Sequence, residues 1–249
     1  MNMHHTLTGL GLLLSAAAFN ANAALTGPYL GVGNVGLVYS SVSNVTWTQD
    51  ANLFKTMYDA DNSLISQITG VTPSYNDPSW GVQTIDAGDF QISTGRMSWW
   101  GGLAFTHYLN SINYGGSNQW RLPSAGDNPC NGCRNPLYGF INPGSELGQL
   151  FYSELGGTEN NNIPNTPIFN NEQSYAYWLL TTNAQGPISA WSFSTSEGSH
   201  LRYNYKDIQL YAWAVSPGQV AAVPVPGAVW LMGSALIGLL ASKLRGHAG

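Results

Sequence analysis

The sequence predicts an exported α+β domain, with two main helices and a small, mostly antiparallel sheet, carried between two apolar ends. Three observations predict it. Charged residues make up only 8% of the 249, against 29 Gly, nine Trp and thirteen Tyr, a balance that suits an extracellular, loop-rich, β-containing chain. Two segments combine helical periodicity with capping residues. Several short runs are rich in β-branched and aromatic residues and read as strands.

At the N-terminal end, His4 and His5 precede an apolar run over residues 7–19, followed by Ala21-Asn22-Ala23. A short apolar run closed by a small-x-small triplet is the pattern of a secretory signal, here with no Lys or Arg before the run. Residues 1–23 are therefore expected to be removed, with cleavage between Ala23 and Ala24. At the other end, residues 220–241 are apolar, with Pro224 and Pro226 near their start and Lys243 and Arg245 behind them. A transmembrane helix is expected over about residues 227–241. Basic residues stay on the cytoplasmic side, which puts the body outside, and local bilayer thinning accommodates a short span. The body, residues 24–219, is long enough for one sizeable core. It carries six of the eight basic residues against all thirteen acidic ones. Nucleic acid needs clustered Lys and Arg, so it is excluded as a partner.

Within the body, residues 30–40 and 45–48 read as strands, the second being Val45-Thr46-Trp47-Thr48. Residues 50–78 read as loop with one helical turn at 63–68. Thr94 is expected to cap a helix reaching Ser111, with Met97, Trp100, Ala104, Tyr108 and Ile112 on one face and Gly101-Gly102 weakening it. A polar loop follows over residues 124–144. Ser145 is the expected N-cap of the second helix and Glu146 its first-turn acid, with Leu147, Leu150, Phe151 and Leu155 buried and Gly156-Gly157 as the stop. Three strand-like runs follow, at 175–182, 190–195 and 210–216. The last is apolar on both faces, which predicts a central strand.

Five pieces, in order, resemble a known family. They are Val45-Thr46-Trp47-Thr48-Gln49-Asp50-Ala51-Asn52, then Tyr58-Asp59-Ala60-Asp61, then Tyr114-Gly115-Gly116 through Trp120-Arg121-Leu122-Pro123. Ser145-Glu146-Leu147 with Leu150-Phe151-Tyr152 comes next, and Tyr211-Ala212-Trp213-Ala214-Val215-Ser216-Pro217-Gly218 is last. Over residues 34–219 this set resembles the Lcl C-terminal domain-like family, in the version found on PEP-CTERM proteins. The resemblance implies a C-type-lectin-like fold and a surface protein that binds polysaccharide. The chain departs from the family in a long insert between Asp61 and Arg96. It also lacks a basic groove, which argues against a heparin-like ligand. The tail, Val223-Pro224-Val225-Pro226-Gly227-Ala228-Val229-Trp230-Leu231, resembles the Val-Pro-x-Pro variant of the PEP-CTERM sorting signal. That likeness implies an exosortase-type processing enzyme as a partner and an anchor that is transient.

The chemistry readable in the body is sparse. Cys130 and Cys133 are the only cysteines and suit a local disulfide in an oxidising compartment. Asp59 and Asp61 offer two oxygen ligands to calcium, although turn and capping roles account for carboxylates so placed. No other cofactor is implied. No nucleophile elbow or metalloprotease motif is present, His107 and His200 are the body's only histidines, and Glu146 and Glu154 read as capping and solvated surface. Exposed Tyr and Trp are the better working groups, since their faces stack on sugars while their polar edges hydrogen-bond. Trp47, Trp120 and Trp213 are expected in the core. The sequence thus points to a non-catalytic, exported binding or matrix protein associated with exopolysaccharide. A structural envelope protein without ligand and a glycan hydrolase are the alternatives.

Overall fold

The computed structural model describes residues 25–126, 137–138 and 144–223. The signal segment with Ala23 and Ala24, the Cys130–Cys133 pair, and the tail with Pro224, Pro226, Lys243 and Arg245 lie outside them. Among the described residues no helix is long and apolar enough to cross a membrane.

In chain order the elements are β1 (Leu25–Leu30), β2 (Gly36–Ser40), β3 (Val45–Thr48), α1 (Leu53–Ala60), α2 (Leu64–Val71), β4 (Ser74–Asp77), β5 (Gly81–Thr84), β6 (Phe90–Gln91), β7 (Arg96–Met97) and α3 (Trp99–Ser111). Then come β8 (Leu137–Tyr138), α4 (Glu146–Gln149), which widens into a π-helical turn over Leu150–Glu154, β9 (Ala176–Thr182), β10 (Ser189–Ser194), β11 (Ser199–Tyr205) and β12 (Val215–Pro217). The described residues are thus mixed α/β, with four helices and small antiparallel sheets. Two sheets have four strands, in the orders β1-β2-β3-β12 and β8-β11-β10-β9, and two hairpins stand apart from them.

Residues 210–215 hold the halves together. Leu210, Ala212 and Ala214 belong to one buried cluster, with α1, α2 and α3. Tyr211, Trp213 and Val215 belong to a second, with Trp47 of β3, Leu147 of α4, and Trp191 and Phe193 of β10. Strand β9 divides in the same way: Ala176 and Trp178 face the first cluster, Tyr177 and Leu179 the second. An extended chain sends alternate side chains to opposite faces, so these two segments form a wall between two cores. The wall is closed by backbone bonds. Trp178 N donates to Tyr211 O at 2.8 Å and Tyr211 N to Ala176 O at 3.0 Å. Met97 and Leu210 exchange bonds at 2.7 and 2.9 Å, and Arg121 and Val215 at 2.9 Å each.

The apolar 210–216 run is buried on both faces as expected, but only its end, β12, is regular strand. Before that it bonds in turn to β7, β9 and β3, and no single neighbour runs alongside it. The expected strand at 30–40 is two strands, because Gly33 and Asn34 take positive φ (80° and 57°) and reverse the chain. The expected loop at 50–78 holds α1, α2 and β4. Leu53, Phe54, Ile68 and Leu64 are buried there against the first core. Helix α3 begins at Trp99, not at Thr94, because Ser98 is the residue whose Oγ accepts from Gly101 N (2.9 Å). Thr94 lies in the turn between β6 and β7. Ile112 falls past the helix end and is exposed. Between Trp99 and Leu109 only His107 faces solvent, so α3 is an internal helix. Gly101 is useful there, since a Cβ would crowd Asp89 O and Met97 Cβ at 3.2 Å.

Seven of the eight described tryptophans are buried, Trp47, Trp120 and Trp213 among them. Trp213 stands edge-on to Trp47 (5.0 Å) and Phe169 (4.8 Å), and its indole N–H donates to Thr48 O (2.9 Å). Truncating a buried aromatic leaves a cavity its neighbours fill only in part. We expect Trp213→Ala to lower unfolding free energy by about 3–5 kcal/mol in urea titrations; a loss below about 1 kcal/mol would remove Trp213 from the structural centre.

Candidate functional site

The second four-stranded sheet ends in an exposed polar strip. Thr195, in the turn between β10 and β11, donates its N–H to Tyr175 O at 2.7 Å. Ile163 N reaches Thr195 O (2.7 Å) and Asn160 N reaches Glu197 O (2.8 Å). These bonds bring residues 160–163, 172–175 and 194–197 side by side, with one hollow lined in part by Tyr175 and another in part by Ser174. One hollow, of about 200 Å³, is lined by Tyr175, Ser194, Ser196, Glu197, Leu201 and Asn204, among others. The other, of about 320 Å³, is lined by Ile163, Asn165, Asn171, Glu172 and Ser174.

Tyr175 is 45% exposed. The Arg96 guanidinium lies 5.1 Å from its ring centroid and Tyr211 meets it edge-on at 6.2 Å, so the ring is held in place while its rim stays wet. Around it stand hydroxyls, carboxamides and carboxylates. Burial raises the Glu172 carboxyl above its ordinary value, offset in part by the backbone amides of Glu172 and Thr166. Its Oε1 has no hydrogen-bond partner among the described residues. Alternating donors and acceptors beside one fixed aromatic ring suit a polyhydroxylated ligand.

Sequence reading missed this strip. Its members come from four separate stretches, and only the exposed aromatic in the Asn-rich run 170–175 hinted at it. The residues that were expected to work do other jobs. Asp59 pairs with Lys55 one helical turn away. Asp61 accepts from Ser63 N (2.9 Å), Ser63 Oγ (2.7 Å) and Gln67 Nε2 (2.7 Å), which ties down the start of α2 and lowers its pKa, the Ser63 hydroxyl contributing most. The two carboxylates have separate partners, and among the described residues no group of three or more His, Cys, Asp or Glu could hold a metal.

Two acidic residues correct the surface reading. Glu146 is 7% exposed and forms a two-pronged pair with Arg121 (2.7 and 2.6 Å), while its Oε2 also accepts from Ser124 N (2.7 Å). It ties Ser124 to the start of α4, because Glu146 N in turn bonds Ser124 O (3.0 Å). Glu154 is half-buried, accepts from Ser40 Oγ (2.9 Å), and is pushed up by burial to about 7.

Among the described residues Ser145 and His200 pair as a nucleophile and a base would. Ser145 Oγ lies 2.6 Å from His200 Nε2, with Ser145 1% and His200 0% exposed. Ser145 Oγ also accepts from Gly148 N as the expected cap of α4. A pair sealed from solvent and committed to a helix end acts as a structural bond. His107 is on the surface, 3.4 Å from Thr72 Oγ1.

No protein-family model, curated protein or solved structure matches this chain.

Two outcomes follow from these contacts. Ser145→Ala removes a cap and strips His200 Nε2 of its partner, so stability should fall by about 1–3 kcal/mol in chemical denaturation. An unchanged midpoint would contradict the structural role. Glu154 has a folded pKa raised above its unfolded one, so its contribution is full below the unfolded value and is lost as pH rises through about 7. Glu154→Gln should therefore flatten part of the decline in Tm between about pH 5 and about pH 8. Parallel wild-type and variant curves would show that Glu154 is not that group.

Proposed function

We propose that the protein is an exported, non-catalytic polysaccharide-binding protein of the cell surface or extracellular matrix. The observation that carries this reading is the strip on either side of Tyr175. It is exposed, uncharged over most of its length and rich in hydroxyl and carboxamide groups, with one ring held ready for stacking. Most other aromatic residues are committed to the two cores and are unavailable to a ligand. The scarcity of basic residues disfavours a sulfated polymer.

Several sequence expectations belong to the same proposal. The signal segment and the Val-Pro-x-Pro tail would take the chain across the inner membrane and hold it there until an exosortase-type enzyme acts. The Cys130–Cys133 disulfide would form in that oxidising compartment. A C-type-lectin-like relationship would suit a mixed α/β domain that presents its ligand site away from the core. The calcium expectation for Asp59 and Asp61 is the weakest member, given their existing partners.

The test is a glycan array on the exported full-length protein, followed by titration of the polymers that bind. Tyr175→Ala should weaken binding about tenfold, the scale of one aromatic contact, while leaving Tm unchanged. Absence of binding to every exopolysaccharide tried would favour the ligand-free envelope protein instead.

A further inference from the structure

We infer that the face carrying Leu30, Val32, Ile112 and Val223 rests on the headgroup layer of a lipid bilayer while the tail holds the chain there. This rests on the tail-anchored part of the proposed function and gives that state one fixed orientation.

Four apolar side chains gather where the described chain runs out toward the tail. Val223 N donates to Leu30 O at 2.9 Å, which lays residues 221–223 against the end of β1. Leu30 and Val32 are exposed (53% and 56%) with Gly31 buried between them, so they share the outer face. Val32 N donates to Gly115 O at 3.0 Å, and a Cβ on Gly116 would come within 2.9 Å of Val32 Cγ2. The turn that follows α3, with Ile112 exposed at its start, therefore stands beside Val32. The exit of the chain is pinned as well. Tyr29 OH donates to Val220 O (2.8 Å), and Val220 N donates to Thr46 Oγ1 (2.9 Å).

This face carries no charge. Residues 25–49, 108–120 and 208–242 contain no Asp, Glu, Lys or Arg, although the chain has thirteen acidic residues. Such a surface approaches lipid without desolvating a carboxylate, which an acidic domain must otherwise do.

Length decides what covers it. The expected transmembrane helix, residues 227–241, would reach about 22 Å, against about 30 Å of hydrocarbon. That deficit draws the apolar residues 220–226 toward the bilayer. From Val223 to Gly227 the chain extends at most about 14 Å, and the headgroup layer takes up about 6 Å of that. Val223 is therefore held close to the headgroups, and Leu30, Val32 and Ile112 come with it. Strand β1 is the edge of its sheet, and its unpaired backbone groups need water. They keep the contact at headgroup depth and out of the hydrocarbon.

The experiment places the full-length chain in phosphatidylcholine vesicles, with a photo-crosslinking benzophenone side chain in place of Val32, Ile112 or Val82. Val82, on the β4–β5 hairpin, is 70% exposed and serves as the reference. All three variants should float with the vesicles and keep the wild-type Tm. Irradiation should give lipid adducts from the first two positions and none from the third. Vesicle-bound chain without adducts at Val32 and Ile112, or with equal yields at all three positions, would overturn the inference and leave the anchor standing. Crosslinked dimers in place of lipid adducts would overturn it in favour of a second copy of the chain. A chain that stays out of the vesicles would overturn the anchor and the inference together, and would leave polysaccharide binding untouched.

Discussion

The alternation of side chains along residues 210–215 is the constraint on which the rest of the fold depends. Three side chains go to the helical core and three to the core under α4, and the segment's backbone bonds reach β7, β9, β3 and Arg121. A one-residue slip would exchange the faces, putting Trp213 where Ala212 and Ala214 make room for α3. The small residues on one side and the large ones on the other therefore fix the register of both sheets. The polar strip depends on this at one remove, because Tyr175 enters β9 immediately before the point where β9 joins the wall.

The few charges are placed with the same economy. Lys206 and Asp77 form an ion pair at 2.7 Å with side chains 2% and 0% exposed. The pair is completed by Trp100 Nε1, which donates to Asp77 Oδ2, and by the Trp99 ring, 4.6 Å from the ammonium. Burial raises the Asp77 carboxyl, but Lys206, the amide of Ser79 and the Trp100 indole together hold it below its ordinary value. Removing either partner would strand a buried charge, which is more disruptive than never having had the pair. The pair joins the end of β4 to the turn after β11, as Arg121 and Glu146 join the segment before Ser124 to the start of α4. Both crosslink segments distant in the chain, and beside the first Tyr75 meets Trp99 and Trp80 meets Trp100 edge-on.

What could be read in the sequence was what lies within one element's reach. Ser145 as a cap, Leu147, Leu150 and Phe151 as the buried face behind it, and the two-faced apolar run before Pro217 all follow from local periodicity. Helix α1 was hidden by surrounding Asn and Asp, although Leu53, Phe54, Met57 and Tyr58 recur at helical spacing. The Gly101-Gly102 pair argued against the helix, yet Gly101 is what lets its first turn pass close to Asp89 and Met97. Strand β11 alternates only weakly, and its place comes from pairing with β10. The contacts that define the candidate site join residues tens of positions apart, as do Asp77 with Lys206 and Ser145 with His200. Such partners are chosen by the assembled wall, and no spacing rule within one segment reveals them.

If residues 210–215 unite both cores, the amides bonded to them cannot open separately. Native-state hydrogen exchange of Met97, Trp178, Thr48 and Arg121 tests this directly, since each donates to the segment from a different element. The account predicts one common opening free energy, equal to that of global unfolding. Exchange of Met97 and Trp178 at one energy and of Thr48 and Arg121 at a distinctly lower one would show two independent units and contradict it.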